Sequence, residues 1–176
     1  PISGVQEAVL IYAGVIASLP VLENHSLVID IGGGSTEIII GHKHSRLLTE
    51  SMAVGSIAWR DKFFSPKTAD LLLLNKQLDA ATAASKSVFD SINIGVRKAG
   101  WDEAYASSGT VKMLATICKA HGLGKGEIEL ASLLTLRPQI ITAIAGGGDL
   151  PGLKERRREL LLPGLAVLVG LMQSYT

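Results

Sequence analysis

The sequence predicts an α/β fold, three antiparallel strands followed by helix, strand and helix. Three observations predict it. Residues 25–52 alternate or run β-branched in three short segments, 27–29, 37–40 and 47–50, with turns between them at "GGGS" and "GHKHS". A long Ala/Leu-rich stretch follows at about 68–94. A further β-type segment at 103–107 then passes through "SSGT" into another helical pattern.

Taken in order, "SGVQEAVLIYAGVIASL" predicts a helix over residues 3–19. Ser3 can cap it, and Gln6 completes a capping box. Its residues are apolar on nearly every side, which predicts burial. The three-stranded meander comes next, then a short helix in "GSIAWRDKFF" and the long helix at 68–94. The strand at 103–107 leads into a helix at 111–121. Two more helical stretches, 132–145 and 153–172, are separated by "GGGDLPG", and no internal repeat or low-complexity linker appears. This order suits one domain of ribonuclease-H-like type.

Composition agrees with a single globular domain: 176 residues, 47% hydrophobic and 19% charged. A net charge of +1 supplies no overall field towards DNA, RNA or an anionic membrane. The single cysteine, Cys118, excludes an internal disulfide framework and suits a reducing cytoplasm. Residues 1–22 lack the basic start and small-residue cleavage site of a signal peptide. The apolar run "LLLPGLAVLVGLM" is broken by Pro163 and is shorter than the ~20 residues that a membrane span needs. A soluble, cytoplasmic chain is expected.

The segment "LVIDIGGGSTEIIIG", residues 27–41, carries the strongest chemical signal. Three consecutive glycines lose much backbone freedom on folding and pack no side chain, so something must come close to that backbone or the turn must be very tight. A dinucleotide turn would run strand, G-x-G-x-x-G, helix, but here a β-former follows Gly34 and no third spaced glycine exists. A Walker loop would end in Gly-Lys-Ser/Thr, also absent. The segment therefore reads as a glycine-rich hairpin between strands, able to offer several N–H groups to an anion. Asp30 ends the incoming strand, where a carboxylate can hold hydrated Mg²⁺ beside that anion. Ser35 and Thr36 add hydroxyls. The competing reading is a tight hairpin needing positive φ, with Asp30 capping the turn.

A second loop, "ASSGT", again follows a strand. Gly109 and Thr110 would sit at a helix N-terminus, where free N–H groups and the helix dipole attract phosphate. An ordinary N-cap at Ser108 reads equally from the same residues. Glu7 is the only charged side chain between residues 2 and 22. A buried carboxylate there needs a partner or a purpose, and a structural acid bonded to backbone or an Arg is the plain alternative. His42 and His44 read as an exposed turn in preference to a metal pair, and Cys118 as core in preference to a nucleophile; Lys154 to Arg158 form a basic run able to face a polyanion but more commonly a solvated helix face, and "AGGGD" reads as a flexible loop.

Five segments, "ISGVQEAVLIYAGV", "LVIDIGGGSTEIIIG", "SMAVGSIAWRDKFF", "ASSGTVKML" and "RRELLLPGLAVL", together resemble the exopolyphosphatase and guanosine pentaphosphate phosphohydrolase family. The resemblance implies the actin, sugar-kinase and chaperone-ATPase fold, in which two ribonuclease-H-like domains flank a cleft. It also implies Mg²⁺-dependent hydrolysis of terminal phosphate from linear polyphosphate or guanosine pentaphosphate. By position, Glu7 falls on the family's catalytic glutamate and Asp30 on a metal-associated acid. Gly32, Gly33, Gly34 and Ser35 fall on its phosphate loop, and Glu37 on a further acid important for the reaction and assigned with Asp30 to the metal. Ser108, Gly109 and Thr110 supply the second phosphate loop.

Val9, Gln6 and Ala106 depart from residues common in that family, which bears on substrate preference more than on the reaction. The family's first phosphate loop, of Asp-Leu-Gly-Ser-Asn type, is not found in these residues, nor is its last returning helix. The expectation is therefore the second domain only, residues 1–176 forming one wall of a cleft and inactive alone. The parent is expected to be an acid-anhydride hydrolase, with polyphosphate or guanosine pentaphosphate as partner and a homodimer as one assembly open to it. The alternative is a phosphate- or nucleotide-binding regulatory module of the same fold, without turnover; a kinase of that fold ranks third, since no sugar-binding pattern is recognisable.

Overall fold

Isoleucine-rich strands and one almost wholly apolar helix set the architecture, seen in a computed structural model that describes residues 11–13, 25–42, 45–146 and 148–175. Six strands form one sheet in the order β4-β3-β2-β5-β1-β6. Strands β2 (His25–Ile31), β3 (Thr36–His42) and β4 (Ser45–Met52) make the antiparallel meander. Strand β5 (Glu103–Ser107) lies parallel to β2, and β1 (Ile11–Ala13) parallel to β5. A short β6 (Glu127–Ile128) closes the edge antiparallel to β1.

The period of two along β2, β3 and β5 separates the faces. Leu27, Ile29, Ile38, Ile40, Ala104 and Ala106 are buried on one side. Val28, Asp30, Glu37, Ile39, Tyr105 and Ser107 alternate with them and remain exposed or half-buried on the other. The core therefore lies on the first face, under the helices.

Those helices are α1 (Ser56–Phe63), α2 (Leu71–Asp90), α3 (Asn93–Ala99), α4 (Gly109–Ala120), α5 (Leu130–Gly146) and α6 (Arg158–Tyr175), the last preceded by a 3-10 turn at Glu155–Arg157. Helix α6 is buried along almost all its length and packs against α1, α2, α4 and α5. Ser85 Oγ on α2 donates to the Val167 carbonyl on α6 at 3.0 Å. The axes approach so closely there that a Cβ on Gly170 would come within 2.7 Å of Lys86 N. No helix among the described residues is long and apolar enough to cross a membrane.

The meander, the strand at 103–107 and the helices after it lie where the periodicity predicts. Three differences have physical causes. Residues 11–13, expected inside a helix over 3–19, are a strand; a short apolar run such as "IYA" fits either state, and pairing with β5 and β6 decides it. The other residues of that expected helix lie outside the described ones.

The helix expected over 68–94 begins at Leu71, because Asp70 Oδ1 accepts from Leu72 N and Leu73 N at 2.9 and 3.2 Å. It ends at Asp90, where Ser91 Oγ donates to the Val88 carbonyl at 2.6 Å and competes with the helix ladder. A separate α3 follows. Likewise 153–172 divides into the 3-10 turn and α6. Cys118 is fully buried in the core, as its place on α4 predicts.

Candidate active site

What approaches the three glycines is the first turn of a helix. Strand β2 ends at Ile31 and β3 begins at Thr36, so residues 32–35 are a hairpin, closed by Gly32 N donating to the Ser35 carbonyl at 2.9 Å. The N-terminus of α1 docks on its outer side. Ser56 N donates to the Gly32 carbonyl, and Ile57 N and Ala58 N both donate to the Gly33 carbonyl, each at 3.0 Å. Free helix N–H groups thus take up the loop's carbonyl oxygens. The alternative of a turn requiring positive φ does not hold, because none of Gly32, Gly33 or Gly34 adopts it.

The contact is backbone against backbone. A Cβ on Gly55, the N-cap of α1, would stand 2.3 Å from the Gly33 oxygen and 2.7 Å from Gly34 N. A Cβ on Gly33 would meet the end of Ile57 at 2.9 Å, whereas one on Gly34 meets nothing within 4 Å. Thr36, fully buried, donates from Oγ1 to the Val54 carbonyl at 2.7 Å and pins the entry to α1. With its carbonyls turned towards α1, the loop leaves the N–H groups of Gly33, Gly34 and Ser35 without a partner among the described residues. That is a row of donors for an anion.

The acids lie beside this row. Asp30 and Glu37 are directly opposed in the β2–β3 register, and Asp30 is opposed to Ser107 in the β2–β5 register. Opposed residues share a sheet face, so Glu37, Asp30 and Ser107 stand side by side across three strands. Asp30 is exposed and Glu37 half-buried. Ser35 Oγ donates to both carboxylate oxygens of Glu37, at 3.2 and 3.4 Å, tying the loop to the acid. Two like charges directly opposed repel, and a cation between them would relieve that repulsion. Among the described residues no cluster of three metal-ligating side chains exists. A pair of carboxylates with waters and substrate oxygens is nonetheless the donor set Mg²⁺ commonly takes, so Asp30 and Glu37 fit such an ion.

The second loop opens at the same end of the sheet, since β2 and β5 run parallel. Ser108 caps α4, its Oγ accepting from Val111 N at 2.9 Å. The N–H groups of Gly109 and Thr110 in the first turn have no partner among the described residues. The Thr110 side chain is buried and packs on Gly164, so only its backbone faces this end.

Arg157 occupies the space over Gly109, and a Cβ there would overlap its guanidinium. The basic run at 154–158 is therefore not simply a solvated helix face. Its last member, Arg158, turns the other way to Glu155 and the Ala143 carbonyl. His42, expected in an exposed turn, is half-buried and ends β3, its ring 4.9 Å from that of His25.

Glu7, which the resemblance matches to a catalytic glutamate, lies outside the described residues. Sequence reasoning missed Gly55, for which the glycine just before a short helix was the available signal.

Comparison with known proteins gives concordant results. A family model described as the Ppx/GppA phosphatase family matches residues 2–175. A guanosine-5'-triphosphate,3'-diphosphate pyrophosphatase of Pseudoalteromonas translucida is 37% identical over 174 residues, covering 98% of this chain and 34% of that protein. A Haemophilus influenzae protein named provisionally as an exopolyphosphatase is 34% identical over 168 residues, covering 95% and 50%. The crystal structure of the Aquifex aeolicus Ppx/GppA family member aligns with TM-score 0.65 at 15% identity, over 88% of this chain and 50% of that one. The chain thus spans from a third to half the length of these relatives.

Proposed function

From the premise that the chain belongs to the Ppx/GppA phosphatase family, we propose that it forms part of an enzyme that hydrolyses terminal phosphoanhydride bonds of inorganic polyphosphate or guanosine pentaphosphate. The observation that carries this reading is the row of unpartnered N–H groups at Gly33, Gly34 and Ser35 beside the opposed carboxylates of Asp30 and Glu37. Relatives named for both substrates support it.

In this reading the loop N–H groups hold the oxygens of the terminal phosphoryl group, and they cost no reorganisation because α1 already fixes the loop. Asp30 and Glu37 would hold Mg²⁺. When bound, that ion neutralises charge on the phosphate oxygens. Ser35, anchored on Glu37, orients that carboxylate. Glu7 takes the proton of the attacking water, the role its motif position assigns. Because these relatives are longer than this chain, the reading places part of the machinery on the remainder of the complete protein and leaves residues 1–176 alone with negligible turnover. Phosphoryl transfer depends on positioning by groups from both walls.

The test is phosphate release by the complete protein from each substrate with Mg²⁺. Glu7→Gln is expected to lower kcat by roughly 10²–10⁴ with little change in binding. Asp30→Asn is expected to raise the Mg²⁺ concentration needed for half-maximal rate. Unchanged kcat in Glu7→Gln removes the base, and full turnover by residues 1–176 alone removes the two-walled site.

A further inference from the structure

At the far end of α1 from the docked glycine loop, a cavity of about 190 Å³ opens between α1, α2, α5 and α6. A helix as short as α1 spans ~12 Å, so this is a separate place from the row of loop N–H groups. Phe64, Leu74, Leu162 and Pro163, all buried, and the half-buried Ile144 give it an apolar floor. Its polar groups carry both signs. Lys67 pairs closely with Glu159, while Arg60 Nη1 reaches the same carboxylate only at 3.8 Å. Gln77 Oε1 faces this space buried and without a hydrogen-bond partner among the described residues, a deficit native proteins seldom leave unfilled. Pro163 has no N–H, so the Glu159 carbonyl one turn earlier loses its ladder donor.

We propose that this cavity binds a free amino acid with an apolar side chain, of which leucine is the type. The inference goes beyond the proposed function and does not depend on it. An ammonium group carries three donors and no acceptor. It supplies what Gln77 Oε1 lacks and shares the negative charge of Glu159. The carboxylate takes Arg60 and Lys67, and the side chain covers Leu74, Ile144 and Leu162. A plain fatty acid would leave Gln77 unpaired. An amine would gain nothing from the two cations, and a phosphate compound would offer the apolar floor no partner. Sites for drug-sized ligands start at ~300 Å³, so the smaller volume here suits a molecule of amino-acid size. Arg158 also lines the cavity, but Glu155 and the Ala143 carbonyl already hold it, so it plays no part in the recognition.

Titration calorimetry on the complete protein, with neither Mg²⁺ nor a phosphate compound present, tests this independently of the hydrolytic reading. The probes are leucine, isocaproate, which lacks the ammonium group, and isopentylamine, which lacks the carboxylate. Leucine is expected to bind saturably and each analogue at least about tenfold more weakly, the usual effect of losing hydrogen bonds to a charged group. Gln77→Leu keeps the bulk and removes the orphaned acceptor. It should weaken leucine binding at least about tenfold, while the Tm without ligand stays level or rises, because a buried unpaired group is gone. A merely structural glutamine would give the opposite change in Tm. Gln77→Glu keeps an acceptor for the ammonium and should hold leucine affinity within about threefold. Ile144→Phe fills the apolar end and should abolish binding with unfolding still cooperative. No saturable leucine binding, an analogue binding as tightly as leucine, or wild-type affinity in Gln77→Leu or Ile144→Phe would each overturn the site.

Discussion

Replacing Gly55 by Ala tests whether the three glycines serve the fold, the ligand or both. The new methyl would stand 2.3 Å from the Gly33 oxygen, a distance Cβ atoms do not tolerate, and the obstacle is backbone that cannot rotate away. Relief requires α1 to lift off the loop, loosening three hydrogen bonds of 3.0 Å from Ser56, Ile57 and Ala58. Overpacking of this kind costs about 1–3 kcal/mol. The weakened bonds add about 1–2 kcal/mol, since each contributes about 1 kcal/mol net. The expected loss is therefore about 2–5 kcal/mol, or a fall in Tm of roughly 4–20 °C for a chain of this size.

Gly34→Ala is the matched control, because its methyl meets nothing within 4 Å and its backbone has no positive φ. Its stability should stay within about 0.5 kcal/mol of wild type. Its affinity for phosphate should nonetheless fall, since a methyl then stands in the row of donors. Urea unfolding followed by circular dichroism measures the first effect, and calorimetry with polyphosphate the second. Equal stability of Gly55→Ala and wild type would refute the docked-helix account. Unimpaired binding by Gly34→Ala would refute the anion row.

Thr36→Val keeps the shape but leaves the Val54 carbonyl without its 2.7 Å partner, and unfolding should show a loss of about 1–3 kcal/mol. The hydrogen bond from Ser174, reinforced by Lys86, holds the Asp90 carboxyl below its ordinary value of 3.8. Because the folded pKa lies below the unfolded one, this stabilisation is complete above the unfolded value and lost as pH falls through the folded value. Asp90→Asn should therefore destabilise at pH 7, and the difference from wild type should shrink in acid titrations as pH falls below the ordinary carboxyl value of 3.8. Burial pushes the Cys118 thiol up to about 11, so a thiol reagent at pH 8 should leave the native protein unmodified and react fully in urea. Rapid native labelling would contradict its place in the core.

Local pattern determined much of this protein. Alternation in residues 25–52 marked the meander, and the β-former after Gly34 was enough to exclude a dinucleotide turn. "ASSGT" announced a strand passing into a capped helix, and Cys118 read correctly as core. These are short-range signals, because side-chain period, capping and turn chemistry are properties of neighbouring residues.

The rest required distant residues to meet. Whether 11–13 would be strand or helix depended on β5 and β6, more than ninety positions away. Glycines at 32–34 predicted close approach without naming what approaches, because Gly55 lies more than twenty residues later and only the packing of α1 brings it there. Nor did the charges of residues 154–158 say that Arg157 would cover Gly109 while Arg158 turned away to α5. The placing of Asp30 beside both Glu37 and Ser107 came from strand order, which the sheet settles by burying the isoleucine face in the core and so leaving the acids together on the other.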